Sequence, residues 1–316
     1  MILMTAALIA ALGSATGHTQ GQTSGADTQR RVRAADSDET VAVTRGTRLS
    51  VNSFAGEVVI RAWDRDSVRV QGRHSGRARV SIRPTGPALV VSASGAPAAV
   101  DFEINVPVWM PLKVDGTYIF ISIEGTQADI SAETVRGDVV IKGGASSIVA
   151  KSIEGEVVLE GGRGRINLSS VNQGISITGA SGEIAAETVN GHITLTNVEA
   201  SSAELGSVNG TIKYDGTVSG SGKYRFSTHN GNIAVGVPEN ASAAFTVRTY
   251  NGSVNTNLPL QGGGETRRGQ RVTYTLGAGN ADFELESFGG TIQLRKRGSD
   301  VPLRRVRDKD KSDKDE

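Results

Sequence analysis

One short motif returns at near-constant spacing along most of the 316-residue chain, and that return constrains the fold more than any other feature. Its clearest copy is Glu187-Thr188-Val189-Asn190-Gly191-His192-Ile193-Thr194-Leu195. Drifted copies are Thr134-Val135-Arg136-Gly137, Ser152-Ile153-Glu154-Gly155, Ser207-Val208-Asn209-Gly210, Thr228-His229-Asn230-Gly231 and Thr249-Tyr250-Asn251-Gly252. Ser53-Phe54-Ala55-Gly56 is an early copy and Ser287-Phe288-Gly289-Gly290 a late one. The glycines at 137, 155, 174, 191, 210, 231 and 252 lie 17 to 21 residues apart. A fixed period of this length marks a repeat architecture.

Asn-Gly between apolar residues is normally a hairpin signal, but side-chain parity argues against a hairpin. A two-residue Asn190-Gly191 loop would put Val189 and Ile193 on opposite faces of a ribbon. The copies keep an apolar residue at both slots: Val135/Val139, Ile153/Val157, Val208/Ile212, Tyr250/Val254 and Phe288/Ile292. A chain that bends but stays extended puts residues 189, 191, 193 and 195 on one face. On this reading Val189 points inward. Gly191 also faces inward at a tight corner, or takes a positive φ. Ile184, Ala186 and Thr188 alternate with the opposite parity, so the switch falls between Thr188 and Val189. Two short strands and two corners in about 20 residues make one coil of an all-β solenoid.

Composition agrees. Gly is 40 of 316 residues without a G-X-Y period, which excludes collagen. Aromatics are 4%, which suits a thin core of stacked aliphatic side chains. There is no Cys, hence no disulfide framework, thiolate metal site or lipidated N-terminal Cys. Net charge is +1, but it is unevenly spread. Residues 30–83 hold twelve Arg and six acids (12 − 6 = +6), and residues 114–210 hold five basic and twelve acidic residues (5 − 12 = −7). Solvated coil edges account for this; an anionic partner for the basic stretch is the alternative.

Residues 1–12 are apolar except Thr5, and small residues follow, so 1–17 reads as a signal peptide although no Lys or Arg precedes the run. Residues 18–38 read as a flexible polar linker and 39–297 as the solenoid, irregular over 39–111 and regular over 112–297. Pro107 and Pro111 bracket a loop carrying Trp109, and 261–270 is a loop insertion. Residues 298–316 read as a disordered charged tail.

Candidate chemistry is sparse. Asn172, Asn190, Asn209, Asn230 and Asn251 share nearly one slot, and stacked they form a structural amide ladder. A row of ligand-binding amides is the functional alternative. His192 and His229 sit near corners and His74 lies elsewhere, all reading as surface residues without metal-ligand spacing. Asp64 and Asp66 flank Arg65 beside Trp63, but nothing in the spacing sets these carboxylates across a groove. Glu154, Glu156 and Glu160 share one parity and point to solvent. Arg295-Lys296-Arg297 is a basic cluster ahead of the mixed-charge tail. No catalytic, cofactor or metal residues are assigned, and no aromatic-basic interleaving supports nucleic acid.

Phe102-Glu103-Ile104-Asn105-Val106-Pro107, then Leu112-Lys113-Val114-Asp115-Gly116, then the serial Val-x-Gly-x-Val/Ile copies resemble the bacterial "putative adhesin" family of β-strand-repeat proteins of unknown function. Head-domain proteins of the GIN type are similar. The likeness spans roughly residues 40–295. It implies a single-stranded right-handed parallel β-helix outside the cytoplasm and brings no catalytic residues. Two copies depart from the pattern: Gln127 fills an apolar slot, and Val171-Asn172-Gln173-Gly174 carries one extra residue.

Together these readings lead to an exported, non-catalytic, adhesin-like binding or scaffolding protein of the envelope or surface. Its partner is an envelope or surface ligand, with an anionic glycan as candidate. Neither nucleic acid nor a transmembrane span in the mature chain is expected. The rival is a polysaccharide lyase or hydrolase, marked by acids, Arg or His on one coil face above a groove. An outer-membrane barrel is disfavoured by the missing aromatic girdles and the two-parity coil.

Overall fold

The computed structural model describes residues 37–74, 78–95, 99–264 and 268–298, together with the backbone of 304 and 305. The expected signal peptide, most of the linker and most of the tail lie outside the described residues. Two boundaries shift. Ser37 and Asp38, assigned above to the linker, open the strand Ser37–Ala42, and Asp38 is tied by an ion pair of 2.6 Å to Arg69. Arg304–Arg305, assigned to the tail, pairs antiparallel with Asn255 and Thr256.

All the named elements are strands, and most of them pair in parallel. From residue 130 on, a coil supplies one strand before the Gly corner and one after it, whereas 48–63 and 112–124 run through that position as single strands. Before the corner, Ile130, Ile148, Ile166 and Ile184 stack in register. After it, Val139, Val157, Ile175, Ile193, Ile212 and Ile233 do the same. This is a β-solenoid-like repeat, because a strand whose hydrogen bonds all run to neighbouring coils needs no hairpin. The stack ends in antiparallel strands. Arg79–Thr85 pairs with Ala88–Ser94 and Ser67–His74 pairs with Val100–Pro107 at one end, and Arg271–Leu276 pairs with Ala243–Thr249 at the other.

The coils do not all stack in chain order. Residues 48–63 lie between 88–107 and 112–124. The strand Ala281–Ser287 lies between Lys223–Thr228 and Ala243–Thr249. Coils follow chain order only in the middle of the stack.

The core is one continuous cluster of alternate residues from both strands of every coil. In the middle coils it is aliphatic and thin. Where coils lengthen it becomes aromatic. Tyr224 stacks on Phe283 at 4.2 Å between ring centroids, and Tyr214, Phe226 and Phe245 pack around them. Burial pushes the Tyr214 phenol far above its ordinary range, and its hydroxyl donates to the Thr217 carbonyl at 2.6 Å.

The corner corrects the inward set. Ile193 and Leu195 are fully buried and Gly191 is buried, but Val189 is 40% exposed. Thr188 is the inward residue instead. The parity switch falls between Thr188 and Gly191, not between Thr188 and Val189, because the turn itself spends residues 189 and 190 on the outside. Val135, Ile153 and Val208 are exposed for the same reason.

Candidate functional site

Two ladders run along the corner. The inner one is made of buried hydroxyls that sequence reading missed. Ser152 donates to the Gly137 carbonyl at 2.9 Å, Ser170 to Gly155 at 3.1 Å, Ser207 to Gly191 at 3.0 Å and Thr228 to Gly210 at 2.9 Å. Ser287 continues the series onto Gly231 at 2.8 Å and Thr249 onto Gly290 at 3.1 Å. The signal was present as an invariable Ser or Thr two residues before the Asn slot. A buried hydroxyl there meets an otherwise unpaired carbonyl, whose loss would cost about 1–3 kcal/mol. The same contact explains the glycine. A Cβ on Gly210 would lie 1.8 Å from the Gly191 oxygen, and one on Gly231 would lie 2.0 Å from the Gly210 oxygen. Neither of these glycines has a positive φ. Close approach of the next coil, not a left-handed backbone, excludes every side chain.

The outer ladder joins four of the five singled-out asparagines. Asn190 Nδ2 donates to Asn172 Oδ1 at 3.1 Å, Asn209 to Asn190 at 2.9 Å and Asn230 to Asn209 at 2.9 Å. Asn251 is not brought to Asn230. The coil inserted between them presents Gly289, which has no side chain to carry the amide chain across. Each amide has two donor hydrogens and two acceptor lone pairs; the inner members Asn190 and Asn209 use one of each in the ladder, while Asn172 only accepts and Asn230 only donates.

Many charges on the coil faces are paired with one another. Arg136 meets Glu154, Lys142 meets Glu160 at 3.3 Å, and Lys151 meets Glu133 at 3.3 Å. The Arg136 guanidinium, by hydrogen bond and charge, holds the Glu154 carboxyl below its usual range. In the basic cluster Lys296 pairs with Glu239, and Arg297 reaches Asp215 at 2.8 Å. His192 Nδ1 accepts from the Thr211 amide at 2.9 Å, His229 stacks on Phe288 at 4.7 Å, and His74 faces the Ser37 hydroxyl at 3.1 Å. Among the described residues no three His, Asp or Glu are grouped to hold a metal ion, and no helix is long and apolar enough to cross a membrane.

A shallow groove of about 470 Å³ crosses one strand face between Arg165, Glu183, Glu204, Lys223, Arg225 and Glu284. Small side chains, Ala185 and Ser202, open it. This is acids and bases on one coil face, the arrangement named above for a glycan-active enzyme. Four of these six charges pair within it, and Glu204 and Lys223 do not. Arg165 pairs with Glu183 at 3.4 Å, and Glu284 receives Arg225 at 3.2 Å and Arg271 at 3.3 Å.

A different arrangement forms where three turns meet near the first coils. The Val43 amide donates to the Asp66 carbonyl at 3.1 Å, and the Val108 amide to the Trp63 carbonyl at 3.1 Å. These bonds gather the turns at 43–47, 63–67 and 108–110. Both tryptophans of the chain are there, half-buried. Trp63 Nε1 donates to the Ser67 carbonyl at 2.8 Å and Trp109 Nε1 to Asp66 Oδ1 at 2.9 Å, which fixes each ring. Arg65 lies over the Trp63 ring at 5.1 Å and Arg45 over the Trp109 ring at 5.8 Å. Neither of these two exposed guanidiniums makes an ion pair with a described carboxylate, whereas Arg69 is paired with Asp38 and Arg73 with Glu103 at 2.7 Å. Sequence reading grouped Asp64, Arg65, Asp66 and Trp63, placed Trp109 in a separate loop and did not single out Arg45, because the three turns come together only through long-range pairing.

Residues 46–295 match the sequence model of a family described as Toastrack DUF4097. It is this family, not the GIN-type head domain, that the chain matches. No curated protein matches it. Among solved structures it is similar to one described as a "putative cell adhesion protein from Clostridium sporogenes ATCC 15579", at 9% identity and a TM-score of 0.20, covering 83% of this chain and 99% of that one. A superposition that loose carries no argument about this chain.

Proposed function

This chain belongs to the Toastrack DUF4097 family, and from that premise we propose that it is an exported, non-catalytic solenoid that binds an acidic glycan of the bacterial envelope. The observation that carries the reading is the pair of unpaired guanidiniums, Arg45 and Arg65, each backed by an indole. The indole face attracts each cation, and no described carboxylate pairs with it. A planar fork of donors suits a carboxylate or sulfate bidentately, and less side-chain freedom is lost when the fork is pre-set. Asp64 on the same turn is an acceptor for sugar hydroxyls. Export is supported by the apolar run at residues 1–12, and the absence of cysteine imposes no redox compartment. The coil is taken as right-handed, since parallel strands joined by a crossover are nearly always so.

Chromatography of the full chain on immobilised heparin tests this. Retention should fall steeply with salt, as screening of exposed charges requires. Arg45→Gln with Arg65→Gln should elute markedly earlier, and Arg69→Gln with Arg73→Gln should elute with the parent. Equal shifts for both pairs would reduce binding to bulk charge, and no retention would end the glycan reading. The groove supports the enzymatic alternative. Turnover of acidic glycans that disappears in Glu204→Gln or Lys223→Met would favour it over simple binding.

A further inference from the structure

Eight large hydrophobic side chains are exposed among the described residues, and seven of them, all but Val108, lie along the Gly corner. The row of outward corner residues runs Phe54, Val135, Ile153, Val171, Val189, Val208, His229, Phe288 and Tyr250, with one residue from each coil except that Thr117 follows Phe54. Backbone bonds bind each coil to the next through these residues: Asn172 N to Ile153 O at 3.0 Å, Asn190 N to Val171 O at 2.8 Å, Asn209 N to Val189 O at 2.7 Å and Asn251 N to Phe288 O at 3.1 Å. The ends of the row are aromatic. Phe54 meets Tyr118 at 5.4 Å, and His229, Phe288 and Tyr250 stack at 4.7 and 4.9 Å. The middle is aliphatic. Contiguous apolar surface of this kind marks an interaction site.

We propose that this row is a homodimer interface, in which the corners of two copies of the chain pack side by side and parallel about a two-fold axis along the row. A glycan fits the middle of the row poorly, because aliphatic valines have neither a π-face nor a hydrogen bond to offer a sugar. Charge argues for a second copy in this orientation. On one side of the row stand Arg136 and Glu154, and on the other side, in the same two coils, stand Glu133 and Lys151. A two-fold axis along the row turns each side to face the other. Arg136 of one copy then meets Glu133 of the other, and Glu154 meets Lys151. The reverse relation supplies both pairs again, as an isologous contact must. Further along, Asn172 meets Ser169 and Asn209 meets Gly206, without any like charges opposed. An antiparallel packing turns each side onto itself and forms none of these ion pairs. Parallel packing also sets each coil against its own copy, so uneven coil lengths cause no loss of register.

The size is sufficient. Nine coil steps give a strip about 43 Å long at the inter-strand spacing. With flanking rows roughly three side chains wide it presents on the order of 600 Å² per copy, the lower end of a specific interface. The apolar row supplies the affinity, since exposed ion pairs add little and mainly fix orientation.

The test uses the full chain, whose lack of cysteine leaves a clean background. Sedimentation equilibrium over about 1–100 µM, where an interface of this size should dissociate, is expected to show monomer giving way to dimer. Val189→Cys alone should form a disulfide-linked dimer under mild oxidation, and Thr194→Cys, off the row, should not. Val189→Asp should be monomeric throughout with an unchanged circular dichroism spectrum. A parent that stays monomeric at the top concentration overturns the proposal. So does cross-linking that needs a mixture of Val171→Cys and Val189→Cys chains, the mark of antiparallel packing. A monomer whose row instead binds heparin or lipid vesicles, with Val189→Asp abolishing it, would assign the row to that partner and overturn the proposal equally.

Discussion

The middle coils and the two ends of the stack obey different rules. Between residues 112 and 215 each coil lies on the one before it in sequence, at steps such as Ile130, Ile148, Ile166 and Ile184. At the ends the order breaks. Residues 48–63 are wedged between later segments, and Ala281–Ser287 slips between Lys223–Thr228 and Ala243–Thr249. The difference follows from what each region must do. A middle coil has a neighbour above and below, so an identical copy satisfies every backbone group. An end coil would expose a row of unpaired groups, an invitation to further strands. Antiparallel strands such as Arg271–Leu276 and Arg79–Thr85 close those edges, and the chain must leave the repeat to supply them. The indole-backed arginines arise where the chain has left the repeat, while the exposed apolar row is a product of the repeat itself.

The largest effect should come from truncation. In a sequential solenoid, removing residues 277–316 would cost only the last coil. Here it removes the strand on which both Thr228 and Thr249 coils rest, so the segment 240–276 should become sensitive to protease and the melt should lose cooperativity. Excising residues 148–165, one whole middle coil, should by contrast leave a folded protein, because Ile130 can stack on Ile166 in the same register. If both deletions prove equally harmful, the distinction between middle and ends fails.

The repeat made the middle legible from residues alone. Period, parity and the corner glycine are local, and each follows from strand geometry. The stacking order was not legible, because the late copy at Ser287 matches the motif as well as any other and nothing in it states which coils it separates. Val189 was misread for a related reason. An apolar residue at a recurring slot suggests burial, and only the turn geometry shows that Thr188 takes the inward place. The hydroxyl ladder was visible as a recurring Ser or Thr, yet a small polar residue ahead of Asn-Gly reads as turn chemistry until the next coil's carbonyl is in place. The site was half legible. Trp63, Arg65, Asp64 and Asp66 are neighbours in sequence, while Arg45 and Trp109 join them only through long-range pairing.

The smallest effect concerns the outer ladder, for which we propose a structural role. Asn190→Ala breaks bonds to Asn172 and Asn209 and should lower stability by about 0.5–1.5 kcal/mol, the usual net worth of such bonds. Asn251→Ala, with Gly289 as its neighbour, should lose less. Heparin retention should be untouched in both. Equal melts would remove the ladder's contribution, and a folded Asn190→Ala that lost retention would make the amides part of the ligand site.

The corner turns Val189 out and Ile193 in, and both the coil and its exposed row rest on that. Thermal melts of Val189→Asp and Ile193→Asp in dilute solution, where copies are apart, test it most directly. Ile193 is fully buried, so a carboxylate there should cost several kcal/mol or prevent folding. Val189→Asp should stay within about 0.5 kcal/mol of the parent, as surface substitutions do. Comparable losses at the two positions, or the larger loss at Val189, would contradict the account.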